Sequence, residues 1–198
     1  EIKKLNFPFI KIPSGEISNL PYLRHIGQLG SPVILSTGMN TIKSISKAVN
    51  IFKKNKTPYA LLHCTNIYPT PNNLVRLNAI NELKKAFPNA VLGLSDHTLT
   101  NYPCIASVSY GASILERHFT DSMKREGPDI VCSMDPKACK ELINASKIVR
   151  IARDGKKGPV SSEKPTIDFA YASVVSIKKI NKGDVFSKEN IWVKRPGT

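Results

Sequence analysis

The sequence predicts an α/β fold: the C-terminal part of a (β/α)₈ TIM barrel, about five βα units long, followed by the start of a small β-rich second domain. Three observations lead there. Short β-rich apolar runs recur at intervals of roughly 23 to 31 residues, the size of a βα unit. Between them the apolar period shifts from 2 toward 3.6, the change from strand to amphipathic helix. Each run ends in polar residues able to do chemistry, as the C-terminal strand ends of a barrel do.

The first strand is Phe7-Pro8-Phe9-Ile10-Lys11-Ile12, closing on Pro13-Ser14-Gly15-Glu16. The second, Pro32-Val33-Ile34-Leu35, closes on Ser36-Thr37-Gly38-Met39-Asn40, and the third, Tyr59-Ala60-Leu61-Leu62, on His63-Cys64-Thr65-Asn66. Ala90–Leu94 runs into Ser95-Asp96-His97-Thr98, and Ser113–Glu116 into Arg117-His118-Phe119-Thr120. Ile42, Ile45, Val49 and Phe52 make one helical stripe, and Leu77, Ile80, Leu83 and Phe87 another. Asp135-Pro136 ahead of Ala138, Leu142, Ile143, Ala145 and Ile148 is a cap with Pro in the first turn of a third helix. Consecutive βα units mean a parallel sheet. A barrel is favoured over an open doubly wound sheet because no GxGxxG turn follows any strand and chemistry closes every strand instead of gathering at one switch point. Five units do not close eight strands, so about three are expected ahead of Glu1 and the chain reads as a fragment, with residues 1–153 as barrel. A Gly/Pro/Ser/Lys-rich linker is expected over 154–166, and 167–198 begins a second domain. Its short strands are expected at Ser173–Ile177, Val185-Phe186 and Ile191–Val193, with a turn at Asn181-Lys182-Gly183-Asp184.

Composition excludes several classes. Of 198 residues 41% are hydrophobic, enough to bury a core and to exclude wholesale disorder. No apolar run approaches the roughly 20 residues of a membrane helix. Glu1-Ile2-Lys3-Lys4-Leu5 has no leader character and reads as mid-protein. Cys64, Cys104, Cys132 and Cys139 form no CxxC pair, so free thiols in a reducing cytoplasm are expected. The net charge of +14 admits a nucleic-acid binder, yet the Lys and Arg residues are scattered with few aromatics among them. A solvated surface is the simpler reading, and a field that steers a small anionic substrate is the next.

His97 and His118 close successive strands and are candidates to share one cation, with Asp96 and Glu116 as orienting partners. Either histidine read alone is equally a structural one. His25 falls in a surface helix, and His63 is read as packing. Lys11, Ser14, Ser36, Asn66 and Ser95 stand at or just past four strand ends: one ammonium, three hydroxyls and an amide, equipment for a phosphate and a carboxylate. Singly, the Ser and Asn residues are turn formers. Gly127-Pro128-Asp129 is a turn with a rim carboxylate.

Taken in order, KIPSGE (11–16), PVILSTGM (32–39), LHCTNIYP (62–69), GLSDHT (93–98), ERHFT (116–120), GPD (127–129) and KRPG (194–197) resemble the sialic acid synthase family, the N-acetylneuraminate synthases and their legionaminate and pseudaminate relatives. The resemblance spans essentially the whole chain. It implies a (β/α)₈ barrel followed by an antifreeze-like SAF domain, in a domain-swapped homodimer. It also implies phosphoenolpyruvate and an N-acetylated hexosamine as substrates, N-acetylmannosamine by default, with Mn²⁺ (or Mg²⁺ or Co²⁺) as cofactor. By resemblance His97 and His118 are the metal ligands, and Lys11, Ser14, Ser36, Asn66 and Ser95 hold phosphoenolpyruvate. Glu16, Tyr68 and Asp129 surround the sugar and the metal-bound water, with Glu16 also a candidate proton carrier, and Arg195 reaches the partner subunit's sugar site. Arg117 stands where the family more often has lysine. The family's early strands, with a metal-side carboxylate and a second phosphoenolpyruvate lysine, are not in this sequence, so an inactive fragment is one alternative. A legionaminate or pseudaminate synthase using a 2,4-diacetamido sugar is another. A basic nucleic-acid-binding protein is the non-enzymatic alternative, and neither nucleic acid nor membrane is the expected partner.

Overall fold

A computed structural model of the chain describes residues 7–195. The chain divides after Asp154 into two compact units. In the first, strands β1 (Ile10–Ile12), β2 (Val33–Ser36), β3 (Tyr59–Cys64), β4 (Val91–Asp96) and β5 (Ile114–Arg117) form one parallel sheet in chain order. Helices α1 (Leu20–Gln28), α2 (Ile42–Lys54), α3 (Ala79–Ala86) and α4 (Tyr102–Ser109) connect successive strands, and α5 (Pro136–Ala152) follows β5.

Period-two alternation sorts the strand residues onto two faces. Ile10, Ile12, Val33, Leu35, Leu61 and Leu92 turn to the helices and share one core with Leu23, Ile26, Ile45, Val49, Phe52, Ile80 and Leu83. Leu94 packs with Cys104 and Leu142 under α4 and α5. The alternating residues, Lys11, Ser36, Leu62, Cys64, Gly93, Ser95 and Glu116, therefore face the other way. That face is concave. Lys11 Nζ lies 2.9 Å from Glu116 Oε1, although β1 and β5 are the two edges of the sheet. Four flat strand spacings would separate them by about 19 Å, more than the roughly 11 Å the two extended side chains span together. Only a sheet curled toward a barrel brings them into contact. Gly93 permits the curl: a Cβ there would stand 2.3 Å from Ile114 O and 2.4 Å from Leu62 Cδ2.

The helices follow local chemistry. Thr41 caps α2 in a reciprocal pair with Ser44, and Asp135 Oδ1 accepts Ala138 N–H at 2.7 Å ahead of Pro136 in α5. Two helices had no clear sequence pattern. In α4, Tyr-Pro-Cys-Ile-Ala-Ser-Val-Ser has almost no charged side to contrast with its buried Cys104, Ser107 and Val108. The other, α6 (Lys164–Ala170), lies partly in the stretch expected as linker, so the irregular segment ends at Val160. Val160 N–H donates to Glu163 Oε2 at 2.7 Å and Lys164 pairs with Asp168 one turn on, which starts a helix despite the Ser/Pro-rich composition.

In the second unit β6 (Ser173–Ser176) pairs antiparallel with β7 (Ile191–Lys194). The turn at 181–184 forms as expected: Asn181 N–H donates to Asp184 Oδ2, and Gly183 adopts φ 98°. Val185-Phe186, expected as a third strand, is exposed irregular chain, because two apolar residues have no ladder partner there.

Candidate functional site

The chemistry sits at the C-terminal ends of β1–β5, on the concave face. Beyond β1 the chain enters a 3₁₀ turn at Ser14–Ser18, where buried Ser14 Oγ accepts Gly38 N–H at 2.9 Å and joins the ends of β1 and β2. Gly38 is required by space, since a Cβ would fall 1.8 Å from Asn66 Oδ1. Ser36 ends β2 with its side chain inward. Its hydroxyl is buried and has no hydrogen-bond partner among the described residues. Ser95, on β4, donates to Glu116 Oε1 at 2.8 Å, the same oxygen that meets Lys11. The ammonium and carboxylate are about one-third exposed and neutralise each other across the concavity.

The imidazoles stand one residue beyond β4 and β5. Asp96 and Arg117 are register partners, so His97 and His118 come next on neighbouring strands, their ring centroids 5.3 Å apart at 69°. Loop 65–70 is stapled to His97 at both ends: His97 Nδ1 donates to Thr65 O at 3.0 Å, and Thr70 N–H donates to His97 O. A carbonyl only accepts, so Nδ1 carries the proton and Nε2 keeps its lone pair. Burial lowers the His97 pKa, against the opposing pull of the Thr65 carbonyl, and holds the ring neutral. The stapled loop lays Tyr68 over His97 at 4.0 Å and edge-on to His118 at 5.8 Å. Asp129 Oδ2 stands 3.5 Å from His118 Nδ1. A neutral imidazole with its distal N–H fixed on a carbonyl, beside a second imidazole and a carboxylate, is the donor chemistry that a divalent cation takes. The residues fit such an ion.

Lys11, Ser14, Ser36, Asn66, Ser95, Tyr68, His97, His118 and Asp129 thus gather on one rim. Glu16 stands apart: its carboxylate accepts from Asn19 Nδ2, the cap of α1, and no hydrogen bond or ion pair joins it to the rim among the described residues. Arg195 is exposed in the second unit, just after β7. The expected orienting roles of Asp96 and Glu116 are taken by others, Thr65 for His97 and Asp129 for His118. Asp96 faces the helices instead, accepting from Thr98 N–H and Oγ1 and pairing with Arg117 at 3.5 Å. Arg117 spans outward to Asn101 Oδ1 and to the carbonyl of Thr98. His63 is the packing residue expected, its Nε2 donating to Val75 O at 2.7 Å.

One lumen residue was not singled out. Cys64 is buried beside Ser14 and Ser95, its thiol bonded to Asn66 Oδ1 and its pKa raised by desolvation. The signal was present, since Cys64 is two residues beyond inward-facing Leu62. All four cysteines are free thiols, and no helix among the described residues is long and apolar enough to cross a membrane.

Comparison with known proteins agrees with the geometry. An N,N'-diacetyllegionaminic acid synthase from Campylobacter jejuni is 41% identical over 98% of this chain and 59% of its own length. One from Legionella pneumophila is 36% identical over 96% of this chain and 54% of its own. The crystal structure of N-acetylneuraminic acid (sialic acid) synthetase from Leptospira borgpetersenii, in complex with citrate, superposes with TM-score 0.78 at 34% identity, over 84% of this chain and 59% of that one. The chain therefore spans between half and three-fifths of the length of these relatives. Residues 1–157 match the NeuB family, and with the curled parallel sheet and its rim of serines, lysine and paired histidines, the chain belongs to that family of sialic and nonulosonic acid synthases.

Proposed function

We propose that the protein carrying this chain condenses phosphoenolpyruvate with the open-chain aldehyde of an N-acetylated hexosamine and releases inorganic phosphate. The observation that carries this reading is the buried hydroxyl of Ser36, without a partner among the described residues, on the same face as Lys11, Ser14 and Ser95 and below two imidazoles of which His97 is held neutral. A buried polar atom without a partner is costly unless a ligand supplies one.

In this scheme Lys11 leaves Glu116 for the incoming phosphate, and Ser14, Ser36, Asn66 and Ser95 fix the polyanion's orientation by hydrogen bonds. A divalent ion, Mn²⁺ or else Mg²⁺ or Co²⁺, held by His97 and His118, supplies Lewis-acid polarisation of the aldehyde oxygen when bound. The enol carbon bonds to the aldehyde carbon, positive charge develops at the adjacent carbon, water adds there, and the intermediate collapses with C–O cleavage to phosphate. Glu16 takes or returns the proton of the added water, which requires it to leave Asn19. Tyr68 and Asp129 border the sugar. The remaining barrel strands, the SAF domain begun at β6 and β7, and Arg195 acting in a domain-swapped partner subunit belong to the same proposal.

N-acetylmannosamine, giving N-acetylneuraminate, is the default acceptor. The two legionaminic acid synthases at 41% and 36% identity favour a second reading, a 2,4-diacetamido-6-deoxyhexose acceptor. The test is phosphate release by the full-length protein from phosphoenolpyruvate and Mn²⁺ with a panel of both sugar types. Release that needs sugar and metal and collapses in His97→Ala and His118→Ala supports the synthase and names the acceptor. A folded full-length protein that releases no phosphate with any of them overturns it.

A further inference from the structure

The loop after β5 returns to His118 by backbone pairing. Met134 N–H donates to His118 O and Thr120 N–H to Met134 O, each at 2.9 Å. This brings the 3₁₀ turn Ile130–Cys132 against the imidazole and fixes it there. Arg117 adds a hydrogen bond to Cys132 O, and Cys132 Sγ rests on Asp129 O at 3.4 Å. As a result one ligand atom from each of His118, Asp129 and Cys132 lies within 4.8 Å of the others. His118 is about one-third exposed and Asp129 about half, whereas Cys132 is fully buried and forms the floor. His97 is not a member of this trio.

We propose that His118, Asp129 and Cys132 form a cation position of their own, distinct from the His97–His118 pair but sharing His118 with it, and selective for a thiophilic divalent ion such as Zn²⁺ or Co²⁺. The inference rests on the reading that this rim takes a divalent cation. It adds a sulfur donor to it. Metal–ligand bonds of about 2.0 to 2.3 Å place tetrahedral donors roughly 3.3 to 3.8 Å apart, so the trio closes on an ion by contracting at most about 1.5 Å. The Cys132 thiol gives its proton to solvent as the sulfur–metal bond forms, with no change of oxidation state. A thiolate, imidazole and carboxylate set prefers Zn²⁺ or Co²⁺ to Mn²⁺, both by softness and by the general order of divalent affinities. An ion in this position engages His118 and Asp129 together, so it competes with the arrangement proposed for turnover. Zn²⁺, which is not among the ions proposed for turnover, is then an inhibitor of a manganese-loaded protein.

Titration of the metal-free full-length protein with Co²⁺, followed by absorption, reads the two positions separately. Visible d–d bands report any bound cobalt, and a thiolate-to-cobalt charge-transfer band in the near ultraviolet reports sulfur ligation. The charge-transfer band is expected in the unaltered protein and in Cys64→Ala and Cys139→Ala. It is expected to vanish in Cys132→Ala, in the near-isosteric Cys132→Ser and in His118→Ala, while both Cys132 variants keep visible bands from the imidazole pair. Cobalt bound without any charge-transfer band, or a band that survives both Cys132 substitutions, overturns the sulfur site and leaves the imidazole site standing. A folded protein that binds no cobalt at all overturns both.

Discussion

Ser36 and His63 show how differently two buried polar side chains earn their places. Ser36 presents to the concave face a hydroxyl with no partner among the described residues. Ser36→Ala is expected to leave stability unchanged or raise it slightly, since it removes an unsatisfied group. The same change should raise the KM for phosphoenolpyruvate about 10-fold to 100-fold, the loss of a hydrogen bond worth roughly 1.5 to 3 kcal/mol to a charged ligand. Denaturation and kinetics on the same variant check both halves. His63 is satisfied by Val75 O, and its pKa is drawn below the ordinary 6.5 by burial, then raised by that carbonyl and lowered again by Arg76. The folded state thus resists a proton that the unfolded chain accepts. The His63 contribution to stability is complete above pH 6.5 and is lost as pH falls through the folded pKa. Urea midpoints measured between about pH 7 and 5 should fall less steeply in His63→Gln than in the parent. At this scale the sequence was readable at six positions at or just past strand ends, since Lys11, Ser14, Ser36, Ser95, His97 and His118 stand on the rim, and it misled at Asp96, which ends β4 but faces the helices. It was silent on Cys132, because no strand period reaches it and only the return of Met134 to His118 brings it near.

Among the elements, α5 depends most on its first turn. Of its 17 residues only Leu142 is buried, and its first turn is held by the Asp135 cap together with Asn101 Nδ2, which donates to Ala138 O and Glu141 Oε2. Asp135→Ala is expected to cost about 1 kcal/mol, visible in chemical denaturation. Amphipathic stripes made α2, α3 and α5 legible from spacing, and apolar runs located all five parallel strands. β1 is shorter than its run because Pro8 has no amide hydrogen for the ladder, and the strand begins at Ile10. α4 escaped because a helix packed between sheet and neighbour needs no polar stripe. α6 was hidden by Pro165, which composition counts as a breaker although it is favourable in a first turn.

For the molecule as a whole, Asp154–Val160 is exposed chain where the first unit ends and the second begins. Trypsin is expected to cut first after Lys156 or Lys157, and mass spectrometry of a short digest checks it. Arg153, the preceding site, is protected: its side chain is mostly buried and its guanidinium donates to Val108 O. The curl of the sheet was the global property least visible in the sequence. It is recorded by a single ion pair between residues more than a hundred positions apart, Lys11 and Glu116. The order of the strands has a consequence in time rather than space. Since β2 to β5 each pair with the strand before them, every ladder of the parallel sheet joins segments only a helix and its loops apart. A chain emerging from the ribosome can therefore add one βα unit to a finished edge at each step, without waiting for a distant partner. The entropic cost of assembly is spread over many short closures, and Lys11 meets Glu116 last, when the fifth strand arrives.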